Sequence, residues 1–87
     1  MATETRYIDD RPPTLEEAQA FVEGDVELIQ LYDGRQILVN EEGLIRNLQH
    51  NPAATQALYE GGKFAGRYIV GNAIILAGSA RWLPEET

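Results

Sequence analysis

The chain has no cysteine among its 87 residues, and its one histidine is His50. Without cysteine there is no disulfide framework and no thiolate zinc site. A single imidazole also excludes a site that draws several histidine ligands from one chain. We therefore predict no metal and no cofactor. The lack of cysteine fits a protein of the reducing cytoplasm.

Long apolar runs are missing as well. No stretch approaches the roughly 18 consecutive apolar residues of a membrane span. Residues 1–10 are polar and lack the apolar core of a signal peptide. The sequence therefore predicts no membrane segment and a cytoplasmic location.

Basic residues are few, with 7 lysines and arginines against 14 aspartates and glutamates, for a net charge of −7. Nucleic-acid binders use a basic patch to displace counterions, so this charge argues against direct binding to nucleic acid. The plain interpretation of the acidic charge is solubility. The alternative is an acidic mimic that occupies the DNA site of a host protein.

Two apolar runs meet at Asp33-Gly34, a dipeptide that is among the strongest short-range signals for a β-hairpin. The sequence predicts a strand on each side of it, within residues 25–40, joined by a two-residue turn. Such a turn pairs Gln30 with Ile37.

This register distributes the apolar residues over two faces, because side chains alternate along a strand. The face predicted to be core carries Val26, Leu28, Tyr32, Ile37 and Val39. The other face carries Ile29, Leu31 and Leu38 and is too apolar to remain in water. A second helix covers it, or another copy of the chain does. We assign these last three residues to a self-association surface and expect a homo-oligomer, with a dimer favoured.

Two helices are predicted from their ends. Thr14 followed by Glu17 forms a capping box for a helix over about residues 15–23, which Gly24 ends as a C-terminal glycine cap. Asn51-Pro52 begins a second helix, since asparagine caps well and proline at the first helical position loses no needed donor. Gly61-Gly62 ends that helix.

Residues 68–77 are the most apolar stretch, which argues for a strand buried on both faces. A break at Gly71-Asn72 is favoured over one bulged strand. Leu44-Ile45 is expected to add a short third strand. The fold class is thus α+β, a small and mainly antiparallel sheet with a central hairpin and two short helices packed on it.

The domain is expected to span residues 14–83, between a flexible arm at residues 1–13 and a tail at residues 84–87. Within the arm, the alternative is that Tyr7-Ile8 docks as an extra edge strand.

Three groups of residues are candidates for a site. Asn40, Glu41 and Glu42 could bind a cation or ribose hydroxyls, although a polar turn is the favoured interpretation. His50 could serve as a general base and the helix start at Asn51 as an anion site, or both simply precede and cap the helix. Aromatic residues beside arginines often anchor interfaces, and ordinary core packing is the alternative for them. These last candidates are Arg67, Tyr68, Arg81 and Trp82.

Several segments, taken in order, resemble a family of small uncharacterised proteins from bacteriophages, plasmids and other mobile elements. The resemblance covers about residues 14–76 and implies a phage or mobile-element origin, with no family activity or catalytic residues to transfer. The segments are Thr14-Leu15-Glu16-Glu17-Ala18-Gln19, Val22-Glu23-Gly24, Val26-Glu27, Asp33-Gly34, Val39-Asn40-Glu41-Glu42-Gly43, Asn51-Pro52-Ala53-Ala54-Thr55 and Ile69-Val70-Gly71-Asn72-Ala73-Ile74.

The sequence contains no nucleophile–base set, metal cluster or phosphate loop that we recognise. We therefore expect a non-enzymatic accessory protein that binds a host macromolecule and modulates it. One alternative is a small-molecule binder that sequesters a nucleotide-type signal at a homo-oligomer interface. A minor virion or assembly component is another.

Overall fold

The computed structural model describes residues 3–62 and 67–82. Its elements, in chain order, are β1 (Thr5–Ile8), α1 (Leu15–Val22), β2 (Val26–Gln30), β3 (Gln36–Asn40), α2 (Pro52–Glu60), β4 (Ala73–Leu76) and a short 3-10 helix (Gly78–Ala80). No helix in these ranges is long and apolar enough to cross a membrane.

The four strands form one sheet in the order β1-β4-β3-β2. β1 runs parallel to β4, whereas β4–β3 and β3–β2 are antiparallel. The predicted α+β class with a mainly antiparallel sheet is confirmed. β3 and β4 occupy the two central positions and every residue in them is buried, which explains the near-continuous apolar run at residues 73–76.

The two helices cover opposite faces of this sheet. One core cluster joins strand residues such as Ile37 and Ile75 to Ala54 and Leu58 of α2. The other joins Leu38, Ile74 and Leu76 to Ala18 of α1. Neighbouring residues of β3 and β4 thus alternate between the helices, as the two-residue period of a strand requires.

The hairpin forms where the sequence predicted it, but its predicted register is wrong by one residue. Ile29 pairs with Ile37 and Gln30 pairs with Gln36. Tyr32, Asp33 and Gly34 form a three-residue loop, with the Leu31 N–H donating to the Arg35 carbonyl oxygen over 2.9 Å. Gly34 has a φ of +98°, in the left-handed region that such loops give to glycine.

The slip moves the side chains of β3 to the other face relative to those of β2, and the assignment of Ile29, Leu31 and Leu38 to a self-association surface is corrected. Ile29 and Leu31 pack in the cluster of α2, and Leu38 packs in the cluster of α1 on the opposite face. All three are at most 5% exposed within the single chain. The alternative that a second helix covers this apolar surface is the observed arrangement.

The amino-terminal segment contributes a strand instead of a separate arm. Tyr7 and Ile8 lie in β1, which confirms the alternative of an edge strand, with Thr5 aligned to Ala73 and Ile8 to Leu76. The Ala77 N–H donates to the Ile8 carbonyl oxygen over 3.0 Å. These partners are distant in sequence, so no local periodicity could reveal them.

Both predicted helix starts are confirmed, but the end of α1 differs. Thr14 and Glu17 form the capping box, and Asn51 caps α2 with Pro52 at its first position. The left-handed residue that ends α1 is Glu23, with a φ of +67°, and not Gly24. A Cβ at Gly24 would lie 2.7 Å from Nδ2 of Asn40, so glycine here makes room for a side chain.

Two further predictions concern the strands after the hairpin. Leu44-Ile45 is not a strand; residues 41–47 form consecutive turns. The break at Gly71-Asn72 is confirmed, because Val70 makes an isolated bridge with His50 and β4 begins only at Ala73. Gly71 has a φ of +81° at this break.

Candidate functional site

A groove of about 470 Å³ lies where the turns after β3 face the segment before Gly71. Glu27 of β2 and Val39 of β3 line it at the sheet. Leu44 and Ile45 flank it on one side and residues 67–70 on the other. We call it the Arg67–Tyr68 groove. Its volume lies within the range of roughly 300–1,000 Å³ that is typical of ligand pockets.

The turns at residues 41–47 are held rigidly on the sheet. The Glu41 N–H donates to the Asp25 carbonyl oxygen over 2.8 Å, and the Leu48 N–H donates to the Gly43 carbonyl oxygen over 3.0 Å. A Cβ on Gly43 would lie 2.7 Å from Cγ2 of Val70, so the two walls of the groove meet in close contact at that glycine. The groove is therefore preformed at this point.

The same turns push two large apolar side chains into solvent. Leu44 is 64% exposed and Ile45 is 84% exposed. Tyr68, on the opposite wall, is 49% exposed and meets the ring of His50 edge-on at 5.7 Å between centroids. Apolar side chains gathered around one concavity mark interaction surfaces more often than singly scattered ones do.

Charged groups occupy the rim of the groove. Nη2 of Arg67 lies 3.2 Å from Oε2 of Glu27, and both side chains are about half exposed. Glu41 also lines the groove. Among the described residues that line the groove, two carboxylates lie beside one arginine that is already paired, which favours a ligand that brings positive charge.

The predicted polar site at Asn40, Glu41 and Glu42 is not a convergent cluster. Nδ2 of Asn40 donates to the carbonyl oxygens of Val22 and Glu23, and its Oδ1 accepts the Glu42 N–H over 2.7 Å. All of these bonds are structural and Asn40 is buried. Only Asn40 and Glu41 line the groove.

His50 lies within reach of a hydroxyl, since its Nε2 is 3.3 Å from Oγ1 of Thr55. A nucleophile–base pair would use these two groups. However, Thr55 is buried and its Oγ1 accepts the Ile69 N–H over 2.8 Å. The hydroxyl therefore fixes the segment before the break to α2, and we interpret the contact with His50 as structural.

The start of α2 offers little to an anion. Pro52 has no N–H, and the Ala54 N–H donates to Oδ1 of Asn51 over 3.0 Å. Nδ2 of Asn51 donates to the Gly71 carbonyl oxygen over 2.9 Å, so this buried amide ties the helix to the break. Asn51 therefore caps α2 and binds it to Gly71. Of the two interpretations offered by the sequence, an anion site or a helix cap, this is the helix cap.

Arg81 and Trp82 lie away from the groove and hold the carboxyl-terminal segment in place. The Trp82 N–H donates to Oε1 of Gln36 over 2.6 Å, and Nε1 of Trp82 donates to the Pro13 carbonyl oxygen over 3.0 Å. Nη1 of Arg81 donates to the Gly34 carbonyl oxygen over 3.2 Å. The structure thus brings together Arg67 and Tyr68 from the predicted group and separates them from Arg81 and Trp82.

A second concavity, of about 560 Å³, lies between β1 and α1. Its aromatic wall, Phe21, is covered by the guanidinium group of Arg6 at 4.4 Å from the ring centroid. Asp10, Arg11 and Glu17 surround the rest. Because the Phe21 ring is already covered by a charged side chain of the same chain, whereas Leu44, Ile45 and Tyr68 are exposed, we favour the Arg67–Tyr68 groove.

Sequence reasoning missed Glu27, Leu44 and Ile45 as members of the site. One signal was available, since Leu44-Ile45 is an apolar pair between the turn residues at 40–43 and the polar pair Arg46-Asn47. In the described ranges, no group of three or more histidine, cysteine, aspartate or glutamate residues is placed to hold a metal ion.

Comparison with known protein families matches residues 2–83 to a family described as a domain of unknown function, DUF3846. No protein of curated function and no solved structure matches the chain. The match confirms a relationship to an uncharacterised family. It extends past both ends of the segment 14–76, taking in β1 and Trp82. The chain belongs to the DUF3846 family.

Proposed function

We propose that this protein is a non-enzymatic accessory protein of a phage or other mobile element, which acts in the host cytoplasm. It binds a host protein through the Arg67–Tyr68 groove and thereby modulates that protein. The observation that carries the proposal is the exposure of Leu44, Ile45 and Tyr68 around one preformed concavity. The ordered resemblance over residues 14–76 supports the mobile-element origin.

A binding role is supported because the polar side chains that could take part in catalysis already form hydrogen bonds within the fold. The hydroxyl of Thr55 receives a backbone N–H, and the amides of Asn40 and Asn51 bond to backbone groups at helix ends. A catalytic centre needs groups that remain available to the substrate. At the groove, the exposed groups are apolar side chains, the Arg67–Glu27 ion pair and the carboxylate of Glu41.

Charge separates the leading proposal from a nucleotide-type ligand. A concave site with an arginine and an aromatic ring has two features that could contact the phosphate and the base of a nucleotide. Here Glu27 pairs with Arg67 and Glu41 lies on the rim, so a phosphate would meet two carboxylates. A polypeptide with basic residues avoids that repulsion, and we keep nucleotide binding as the second candidate. A minor virion or assembly component is the third, and stable assemblies of higher symmetry in solution would favour it.

Site-specific photocrosslinking tests the proposal. A benzophenone amino acid replaces Ile45 in one variant and Tyr68 in another, and each is expressed and irradiated in cells. We expect the same covalent adduct to a single protein from both positions. The matched control carries the crosslinker at Tyr7, which is 64% exposed on β1 and outside the groove. Equal crosslinking from Tyr7, or none from the groove positions, would overturn the proposal.

A further inference from the structure

β2 is an edge strand, and no strand within residues 3–62 and 67–82 pairs with its outer side. It pairs with β3 on one side only, in the sheet order β1-β4-β3-β2. Edge strands present a row of backbone donors and acceptors on which another strand can be built. Natural proteins commonly protect such an edge with proline, bulges or several charges, but β2 has no proline and its one charge is Glu27.

The register shows which backbone groups face outward. Glu41 donates to Asp25, and Leu31 donates to Arg35, so the ladder to β3 uses the odd-numbered residues of this strand. Bonded and non-bonded pairs alternate in an antiparallel ladder. The N–H and C=O groups of Val26, Leu28 and Gln30 therefore point away from the sheet. Within residues 3–62 and 67–82, no backbone hydrogen bond reaches them.

The side chains beside this edge differ on the two faces of the sheet. Leu28, on the face of α1, is 38% exposed. Glu27, on the face of α2, lies in the Arg67–Tyr68 groove. An added strand would direct alternate side chains towards Leu28 and towards Glu27. The first set should be apolar and the second basic.

We infer that β2 accepts an extended segment of the partner protein, in which apolar and basic residues alternate, as a fifth strand of the sheet. This inference rests on the proposed function and specifies how the partner binds. Main-chain bonds to Val26, Leu28 and Gln30 supply affinity, and the groove selects the basic side chains. A basic partner segment is favoured over a second copy, because each copy carries a net charge of −7 and the two copies would repel each other.

The first test uses a fluorescein-labelled peptide of alternating lysine and valine, about seven residues long, a common strand length. Fluorescence anisotropy measures its binding to the wild-type protein. The control peptide has the same sequence but is N-methylated at alternate amides, which removes the donors of one strand edge. We expect about a hundredfold weaker binding of the methylated peptide, since it loses about three bonds of about 1 kcal/mol each and 1.4 kcal/mol is tenfold.

The second test removes a donor from the protein. Leu28→Pro deletes an outward N–H that the ladder to β3 does not use, and proline is tolerated on edge strands. Leu28→Ala keeps this N–H and is the matched control. We expect Leu28→Pro to bind the lysine–valine peptide about tenfold more weakly than Leu28→Ala does. If Leu28→Pro does not fold, the comparison of methylated and unmethylated peptides on the wild type still decides.

Each of the other possible results would overturn a specific part of the inference about β2. Equal binding of the two lysine–valine peptides, or no binding of either, excludes strand addition at β2. A glutamate–valine peptide that binds as well as the lysine–valine peptide excludes the basic preference. A dimer by light scattering that Leu28→Pro dissociates assigns the edge to a second copy. Crosslinking from Ile45 and Tyr68 is scored independently, so the groove proposal can survive any of these results.

Discussion

Nδ2 of Asn40, at the end of β3, donates to the carbonyl oxygen of Val22, the last residue of α1, over 3.0 Å. The same amide donates to the Glu23 carbonyl oxygen over 3.2 Å. Carbonyls at the end of a helix lack partners within the helix. A side chain from the sheet supplies them here, and Nδ2 of Asn72 likewise donates to the Phe21 carbonyl oxygen over 3.1 Å, so two side-chain amides hold the end of α1.

Asn40→Asp should therefore destabilise the protein by about 3 kcal/mol at neutral pH. The change keeps the size of the side chain but replaces a donor with a carboxylate that faces two carbonyl oxygens. The free energy of unfolding in urea measures the loss. Gln49→Glu makes the same chemical change at an exposed position and should cost less than about 0.5 kcal/mol. Equal effects at the two positions would show that Asn40 does not anchor α1.

The close contact between Gly43 and Val70 predicts energetic coupling. Gly43→Ala should destabilise the protein by about 1–3 kcal/mol, because its Cβ would lie 2.7 Å from Cγ2 of Val70. Val70→Ala removes that methyl group. The two changes together should therefore cost less than their sum, by about 1 kcal/mol. Urea unfolding of the four proteins of this double-mutant cycle measures the difference, and strict additivity would contradict the contact.

The loop at Asp33 shows why the hairpin was predictable but its register was not. Asp33-Gly34 correctly marks a reversal, because Gly34 takes a positive φ. Leu31 and Tyr32 are both apolar, so the pattern fits a two-residue turn as well as the observed three-residue loop. Packing decides between the two loop lengths, since Leu31 is buried in the cluster of α2 while Tyr32 is 77% exposed.

The helix starts were predictable for the opposite reason, that their contacts are local. The bonds of Thr14 with Glu17 and of Asn51 with Ala54 span three residues each. The groove depends on the encounter of Val70 with Gly43, which are far apart in sequence. Sequence reasoning selected Arg67 and Tyr68 by residue type, and it had no means of placing Leu44 and Ile45 beside them.

Gln36 and Trp82 predict a spectroscopic change. Gln36 is buried and bonds to both the N–H and the carbonyl oxygen of Trp82. Gln36→Ala should destabilise the protein by about 2 kcal/mol. It should also shift the fluorescence emission of the one tryptophan to longer wavelength under native conditions, because the indole becomes more exposed to water. Gln56→Ala, on the exposed face of α2, should change neither quantity. Native emission that stays unshifted in Gln36→Ala would show that Gln36 does not hold Trp82 in place.

Asp33 predicts a pH dependence. The side-chain hydrogen bond from Arg35, at 2.9 Å, lowers the pKa of the Asp33 carboxyl below its ordinary value. A carboxylate with a lowered pKa in the folded state stabilises the fold above its unfolded pKa, and this contribution is lost as pH falls through the folded pKa.

Asp33→Asn should therefore be less stable than the wild type at about pH 7, by less than about 1 kcal/mol, because the ion pair is exposed. The difference should shrink to near zero as pH falls below the range in which Asp33 ionises. Thermal unfolding of both proteins across this pH range measures it. A difference that persists in acid would assign the effect to the turn geometry instead of the charge.

The parallel pairing of β1 with β4 joins residues 68 positions apart. Loops of that length close slowly, and proteins dominated by such pairings fold slowly. During synthesis, β1 cannot pair until β4 has been made, whereas α1 and the β2–β3 hairpin can form from neighbouring segments. During this interval β3 has one unpaired edge and uncovered apolar faces. The order of synthesis therefore leaves β3 exposed until β4 emerges, and the chain is most prone to aggregate before residue 76 emerges.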